Sequence, residues 1–145
     1  MPHLADTNIL LRWLEPGTPM CAQAQAAVRK LRLRGETIYI TPQNLVEFWN
    51  GATRPATANG LGLTPAQADA EARQLESLFP LAEDTPAIHR QWRHLVVACG
   101  VSGVHVHDAR LAAAMLAHGI DHILTFNVRD FARFGAIVAV HPTSV

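Results

Sequence analysis

The sequence lacks most features of exported and membrane-bound proteins. It contains only two cysteines, Cys21 and Cys99, and neither belongs to a C-x-x-C pair or a zinc-like spacing, so both are predicted to be reduced core residues. No apolar run approaches the about 20 residues that cross a membrane. The segment from Met1 to Asp6 has neither the basic nor the apolar region of a signal peptide. We therefore expect a cytoplasmic protein that does not contact a membrane.

An excess of one charge is also absent. The chain has 12 Lys and Arg against 12 Asp and Glu, and its pI is about 7.1. A balanced total does not exclude a nucleic-acid ligand, because opposite charges can be segregated on one surface. The basic run of Arg29, Lys30, Arg32 and Arg34 lies near the end of a predicted helix, where it is either a solvated helix end or a contact to RNA.

The order of predicted elements indicates a single α/β domain over residues 1–145. A hydrophobic content of 49% with 17% charged residues excludes a disordered chain. Strands are predicted at 3–5, 37–40, 79–82, 122–125 and 136–140. A helix with Thr7 or Asn8 as its N-cap is predicted to follow the first strand, and another is predicted to start at Pro42. Further helices are predicted to occupy 20–34, 64–79, 85–100, 108–118 and 127–134, while 54–63 is the least structured segment. This alternation predicts a three-layer α/β/α sandwich with a central, mostly parallel sheet.

Acidic residues follow the predicted strands at the same edge of the sheet. Asp6 ends the first strand, Glu47 lies about a turn into the helix after the second, and Asp108 begins the Ala-rich helix. Asn127 and Asp130 come just after the strand at 122–125. Because the carboxyl ends of parallel strands share one edge, we expect these side chains to converge. Asp6 and Asp108 also fit acids that complement helix N-termini, and Asn127 with Asp130 fits a capping box.

Convergent carboxylates repel one another unless a cation lies among them. Oxygen ligands of this kind suit Mg²⁺, or alternatively Mn²⁺, which keep part of their hydration and leave positions open for phosphate oxygens. One such ion polarises a phosphodiester and activates water, and two ions about 4 Å apart would hold the entering and leaving oxygens. The pattern therefore predicts phosphodiester hydrolysis.

Four ordered blocks of the sequence resemble the signature blocks of PIN-domain ribonucleases of the VapC toxin type. The blocks are Asp6-Thr7-Asn8-Ile9-Leu10-Leu11, Asn44-Leu45-Val46-Glu47-Phe48-Trp49, Val104 to Ala113, and Leu124 to Phe131. The resemblance covers residues 4–142. It implies a PIN-like fold and Mg²⁺-dependent cleavage of RNA, with Asp6 and Asp108 as the principal metal ligands and Glu47 as a third acid. It also implies a homodimer held by helices and a small antitoxin protein that blocks the acidic groove.

The fourth block departs from the acidic form of the family pattern, because Asn127 stands where many members have Asp. The fourth ligand is then Asn127, Asp130 from the next turn, or neither, and a second metal is left open. Two other activities on the same fold also stay open, a housekeeping nuclease in RNA processing and a degenerate, non-catalytic binding module.

Three other kinds of site fit the sequence less well. A haloacid-dehalogenase-like phosphotransferase needs a second acid where Asn8 stands. A receiver domain needs a late lysine at a strand end, and the one lysine of this chain is Lys30. Zinc bound by His105 and His107 is disfavoured, because zinc sites use a closed set of nitrogen and sulfur ligands and the other histidines are scattered.

Overall fold

A four-stranded parallel sheet forms the centre of the molecule. The computed structural model describes all residues from Met1 to Val145. Strands β1 (His3–Ala5), β2 (Ile38–Tyr39), β3 (His122–Leu124) and β4 (Val138–Val140) are arranged in the order β2-β1-β3-β4, and every pair is parallel. A single parallel bridge between Ile40 and Leu81 extends the β2 edge. The strand predicted at 79–82 is thus reduced to one bridging residue, and the paired part of the last strand begins at Val138 instead of 136.

Six α-helices cover the sheet, and most begin at a threonine followed by proline. They are α1 (Thr7–Trp13), α2 (Pro19–Leu33), α3 (Pro42–Thr53), α4 (Pro65–Leu78), α5 (Pro86–Ala98) and α6 (Val106–His118). The hydroxyls of Thr18, Thr41 and Thr64 accept a backbone N–H in the first turn of α2, α3 and α4, while proline supplies a φ angle that suits the first helical position. No helix is both long enough and apolar enough to cross a membrane.

The two faces of the sheet pack against separate groups of helices. Ala5 and Leu124 belong to a core shared with α1, α2, α3 and α4. Leu4 and Ile123 point to the other face, where the core includes α6 and is flanked by partly buried residues of α5. Side chains alternate between faces along a strand, so neighbouring residues of β1 and β3 join different cores. The predicted three-layer α/β/α sandwich is confirmed.

Several predicted helix boundaries are wrong in informative ways. The first helix is capped by Asp6, because its Oδ1 accepts the N–H of Thr7 at 2.8 Å, and neither Thr7 nor Asn8 is the cap. Helix α6 begins at Val106, so Asp108 lies inside its first turn instead of at its start. The helix predicted at 127–134 is a short 3₁₀ helix, Val128–Phe131.

The segment 54–63, predicted to be the least structured, is held against α3 by backbone hydrogen bonds. A 3₁₀ helix forms at Ala56–Ala58. The N–H of Leu61 donates to the carbonyl of Gly51 at 3.2 Å, and the N–H of Leu63 donates to the carbonyl of Ala52 at 2.9 Å. Proline and glycine here shape an ordered turn instead of an open loop.

Candidate active site

The site lies where the chain leaves the two central strands. The connection from β1 leads to β2 on one side of β1, whereas β3 lies on the other side of β1. The strand order therefore reverses between β1 and β3. Crevices at the carboxyl ends of strands on such an edge bind ligands in open α/β sheets. Asp6 follows β1 and Thr125 follows β3, and the N–H of Asp6 donates to the carbonyl of Leu124 at 2.9 Å.

The carboxylate of Asp6 is buried and held by three donors. Its Oδ1 accepts the N–H of Thr7, and its Oδ2 accepts the hydroxyl of Thr125 at 2.7 Å and the Asn8 amide at 3.2 Å. The residue is 8% exposed. A carboxylate has about four lone-pair sites, so one remains free for a further partner. The helix-capping interpretation of Asp6 is therefore correct without excluding a second role.

Asn8 and Thr125 connect α1 to the loop after β3. The Asn8 amide nitrogen also lies 3.3 Å from the Thr125 hydroxyl oxygen, and its Oδ1 accepts the N–H of Phe126 at 3.2 Å. The N–H of Asn127 donates to the Thr125 hydroxyl oxygen at 2.9 Å. Sequence reasoning missed both residues, although each lies inside a signature block and Thr125 directly follows a strand.

Glu47 is positioned through the start of α3. Asn44 closes a reciprocal cap with Thr41 and donates its amide to the hydroxyl of Thr7 at 3.2 Å, which ties α3 to α1. One turn before Glu47, Gln43 donates its amide nitrogen to Oε1 of Glu47 at 3.0 Å and to the carbonyl of His107 at 2.8 Å.

Gln43 also connects this acid to α6. Its Oε1 accepts a guanidinium N–H of Arg110 at 3.1 Å, and Arg110 lies 3.4 Å from the carboxylate of Asp84. Gln43 thus makes one hydrogen bond within α3 and two hydrogen bonds to α6. The i, i+4 spacing of Gln43 and Glu47 was a sequence signal for this contact.

Asp108 lies next to His105 and Asp130. The Nδ1 atom of His105 is 3.1 Å from Oδ2 of Asp108. One ligand atom from each of these three residues lies within 4.8 Å of the others, a spacing that one metal ion can bridge. The zinc hypothesis had paired His105 with His107 on an extended segment, but His105 ends a 3₁₀ helix, Gly103–His105, and faces Asp108.

Burial and, to a lesser extent, mutual repulsion raise the pKa values of three of these acids. Burial raises the pKa of Asp6 to about 6, and the charges of Asp108 and Asp130 add to the shift. Burial likewise raises the pKa of Glu47 to about 7, with further contributions from Asp6 and Asp108. Burial also raises the pKa of Asp108, and Asp130 strengthens the effect. The four carboxylates therefore form one electrostatic cluster, which we call the acid cluster.

Asn127 stands apart from the acid cluster. Asn127 is exposed and its side chain makes no capping hydrogen bond. The predicted capping box with Asp130 is therefore not formed. It borders an open cavity of about 540 Å³ next to the acid cluster, lined by Phe126, Asn127, Val128, Arg129, Asp130 and His141. Among the five sequence-predicted site residues, the structure groups Asp6, Glu47, Asp108 and Asp130.

The donor set of the acid cluster fits a hard divalent cation. Its donors are carboxylate oxygens. Burial, and to a lesser extent the neighbouring negative charges, raises the pKa of Asp6, Glu47 and Asp108, and a cation would offset both effects. Asp6 has a free lone-pair site, and Asp108 with Asp130 offers oxygens at bridging distance. His105 adds one nitrogen donor, which Mn²⁺ and other transition metals accept more readily than Mg²⁺ does.

Comparisons with known proteins agree with this fold. Residues 4–137 match the PIN domain family. The structure is similar to VapBC2 from Rickettsia felis bound to a promoter DNA fragment, with a TM-score of 0.73, 16% identity and coverage of 97% of this chain and 98% of that chain. It is similar to VapBC-1 from nontypeable Haemophilus influenzae, with a TM-score of 0.70, 16% identity and 99% coverage of both chains.

A third similar structure is VapC20 from Mycobacterium tuberculosis, described as a toxin that cleaves the sarcin-ricin loop. Its TM-score is 0.58 at 16% identity, and the match covers 83% of this chain and 86% of that chain. No curated protein is significantly similar to this chain in sequence. The family match runs from Leu4 in β1 to Ile137, just before β4, and includes every member of the acid cluster, and we conclude that this chain belongs to the PIN domain family.

Proposed function

We propose that this protein is a Mg²⁺-dependent endoribonuclease and the toxin of a toxin–antitoxin pair. The observation that carries the proposal is the acid cluster, because its carboxylates gather at the ligand-binding edge of the sheet, where burial and then the neighbouring negative charges raise the pKa of Asp6, Glu47 and Asp108. Such a grouping is costly for a fold and is typical of functional sites.

Asp6, Asp108 and Glu47 would hold the ion, with Asp130 as the candidate fourth ligand. A divalent ion bound there polarises a phosphodiester and lowers the pKa of a bound water. We assign no ligand role to Asn127, because its side chain is exposed and the cap it was predicted to form is absent.

The chain's own residues supply position and proton transfer. Asp6 is fixed by three donors, so it defines one wall of the site. Glu47 has a pKa of about 7, and Gln43 occupies only its Oε1 atom. Without a bound cation, a carboxylate with that pKa is a stronger base than an ordinary glutamate, and a cation held by Glu47 would lower its pKa again.

The similar structures support the toxin assignment and its partners. The Rickettsia and Haemophilus proteins are VapBC assemblies, and the Mycobacterium protein is a toxin that cleaves the sarcin-ricin loop. By analogy we propose a small antitoxin over the acid cluster and a homodimer. Leu45, Val46 and Trp49 border an apolar hollow on α3, and Val46 is 71% exposed, which supports a second copy of this chain at that face.

Cleavage of purified RNA tests the proposal. The wild-type protein should cut structured and single-stranded RNA when Mg²⁺ or Mn²⁺ is present, and EDTA should stop the reaction. Asp108→Asn should lower the rate by at least about 100-fold, the scale on which active sites lose activity with one electrostatic group. Asp69→Asn, at an α4 acid that pairs with Arg73 at 3.1 Å, is the matched control and should retain activity.

Other results would favour the alternatives. A wild-type protein that binds RNA without cutting it would be a binding module, and cleavage that survives EDTA would contradict the metal assignment. Expression that does not arrest growth would favour a housekeeping nuclease over a toxin. A single species near 15.8 kDa in light scattering would contradict the homodimer.

A further inference from the structure

A second cavity opens beside the acid cluster, between α1, the end of α3 and the turn at 54–61. Its volume is about 480 Å³, within the range of small-ligand sites. Most of its lining is polar. We call it the Arg54 pocket, and its lining residues are Asn8, Leu11, Arg12, Glu15, Gly51, Arg54, Asn59, Gly60 and Leu61.

The wall of the Arg54 pocket is preformed. A Cβ atom at Gly60 would lie 1.9 Å from the carbonyl oxygen of Arg54, so only glycine allows the chain to fold this closely against itself. The N–H of Gly60 donates to the carbonyl of Pro55 at 3.0 Å, and that of Gly62 donates to the carbonyl of Arg54 at 2.9 Å. Asn59 adopts a left-handed backbone with φ of 61°, which asparagine tolerates better than most residues. A ligand would meet an ordered surface.

The pocket is continuous with the acid cluster through Asn8. The amide of Asn8 donates to Oδ2 of Asp6, while the same residue lines the pocket. Arg12 lies four residues further along α1, which is about one helical turn or 6 Å. Asn8 thus borders both the acid cluster and the Arg54 pocket, which extends from there along α1 toward Arg12.

The pocket contains an arginine without a partner. The guanidinium of Arg12 pairs with Glu15 at 2.8 Å, so the charges of these two residues largely cancel. Arg54 is exposed and forms none of the ion pairs in the structure. The pocket thus has an unpaired positive charge, and arginine binds phosphate oxygens with two parallel hydrogen bonds.

We infer that the Arg54 pocket binds the nucleotide of a single-stranded RNA substrate that adjoins the cleaved bond. Arg54 contacts its phosphate, and the apolar side chains of Leu11 and Leu61 contact its sugar or base. The inference rests on the proposed ribonuclease function, since it takes the phosphodiester at the acid cluster as the neighbouring group.

Binding of a fluorescein-labelled, unstructured oligoribonucleotide tests this assignment. Measurements use fluorescence anisotropy with Mg²⁺ in a Glu47→Gln background, which slows cleavage under the proposed function. Adding Arg54→Gln should weaken binding about tenfold, the effect of one lost charge-assisted hydrogen bond. The slope of log affinity against log salt should become shallower by about 0.7, the value for one phosphate contact to a single strand.

Two further variants complete the binding test, one expected to tighten RNA binding and one expected to leave it unchanged. Glu15→Gln removes the acid from the pocket and frees Arg12, so binding should become tighter. Arg90→Gln makes the same charge change at an exposed arginine of α5, in the other helix layer, and should leave binding within about twofold. Equal losses for Arg54→Gln and Arg90→Gln, or no loss for Arg54→Gln, would overturn the pocket assignment.

Kinetics with the wild-type background separate this inference from the proposed function. A raised KM with little change in kcat for Arg54→Gln supports both. Cleavage with an unchanged KM overturns the pocket and leaves the ribonuclease, whereas Arg54-dependent binding without any cleavage overturns the ribonuclease and leaves the pocket as an RNA site. If uridine 5′-monophosphate binds as tightly as the oligonucleotide, the pocket serves a free nucleotide and the strand assignment is wrong.

Discussion

The acid carried by the sheet and the acids carried by the helices are held in different ways. Asp6 follows β1 directly, is almost fully buried and accepts hydrogen bonds from Thr7, Asn8 and Thr125. Glu47 and Asp108 each receive one side-chain contact, from Gln43 and His105. The difference teaches that one half of the site is fixed by the sheet, while the other half depends on how α3 and α6 are placed.

Removing the Thr125 hydroxyl should weaken the part of the site that Asp6 forms after β1. Thr125→Val keeps the shape but takes the shortest hydrogen bond from Asp6, and because that bond lowers the pKa of Asp6, its loss raises the pKa further. We expect Mn²⁺ affinity to fall about 10-fold to 100-fold and the free energy of unfolding to fall by about 1–3 kcal/mol. Calorimetric titration and thermal melting measure the two effects.

The control for that change is Thr53→Val. The Thr53 hydroxyl donates to the carbonyl of Trp49 at 2.7 Å, within α3 and away from the acids. Its replacement should leave Mn²⁺ affinity unchanged. Equal affinities for Thr125→Val and the wild type would contradict the view that the sheet fixes Asp6.

A pH titration of stability compares the two halves without a ligand. Asp6 and Glu47 have pKa values of about 6 and about 7 in the folded protein, above those of the unfolded chain. The folded state therefore binds more protons between the unfolded and folded pKa values, and the free energy of unfolding should fall as pH rises from about 4 to about 7, by an order of 1–3 kcal/mol. Adding Mn²⁺ at pH 8 should restore it.

Glu47→Gln tests how much of the pH dependence of the free energy of unfolding comes from Glu47 on α3. Urea unfolding at each pH should give a flatter profile for this variant than for the wild type, because the group with the higher pKa is gone. Glu76→Gln, at an exposed position of α4, should keep the wild-type profile. Parallel profiles for Glu47→Gln and the wild type would contradict the assignment of this pH dependence to Glu47.

The smallest effects should distinguish the two residues after β3. Asp130→Asn removes an oxygen next to Asp108 and should lower Mn²⁺ affinity about tenfold. Asn127→Ala changes an exposed side chain and should alter affinity by less than about twofold. A larger loss for Asn127→Ala than for Asp130→Asn would reverse our choice of the fourth ligand.

Placement of the acids could be predicted from the sequence because it depends on local rules. Parallel strands bring their carboxyl ends to one edge, so Asp6, Glu47 and Asp108 were expected to converge. The contacts of Thr125 with Asp6, of Asn8 with Phe126 and of Gln43 with α6 were not predicted, since each joins residues far apart in the chain. The local contacts of Asn8 with Asp6 and of Gln43 with Glu47 were missed although their spacing is short. The cap of α1 was misassigned because Asp6, Thr7 and Asn8 all suit that position, and only the φ and ψ angles of Asp6 decide among them.

Segment 54–63 shows a second limit of sequence reasoning. Its proline, Pro55, and its glycines indicated a loop, and that is correct for its secondary structure outside the short 3₁₀ helix Ala56–Ala58. The backbone hydrogen bonds to α3 depend on how closely Gly60 approaches Arg54, which composition does not reveal.

The acid cluster spans a seam between two separately packed cores. Asp6 and Glu47 lie on elements that pack with the α1–α4 core, whereas Asp108 lies on α6 and Asp130 precedes Phe131, both in the other core. Gln43 crosses this seam with two hydrogen bonds, to the carbonyl of His107 and from the guanidinium of Arg110. The distance between Glu47 and Asp108 is therefore set by two packing interfaces on opposite faces of one sheet, and the geometry of the site depends on both cores at once.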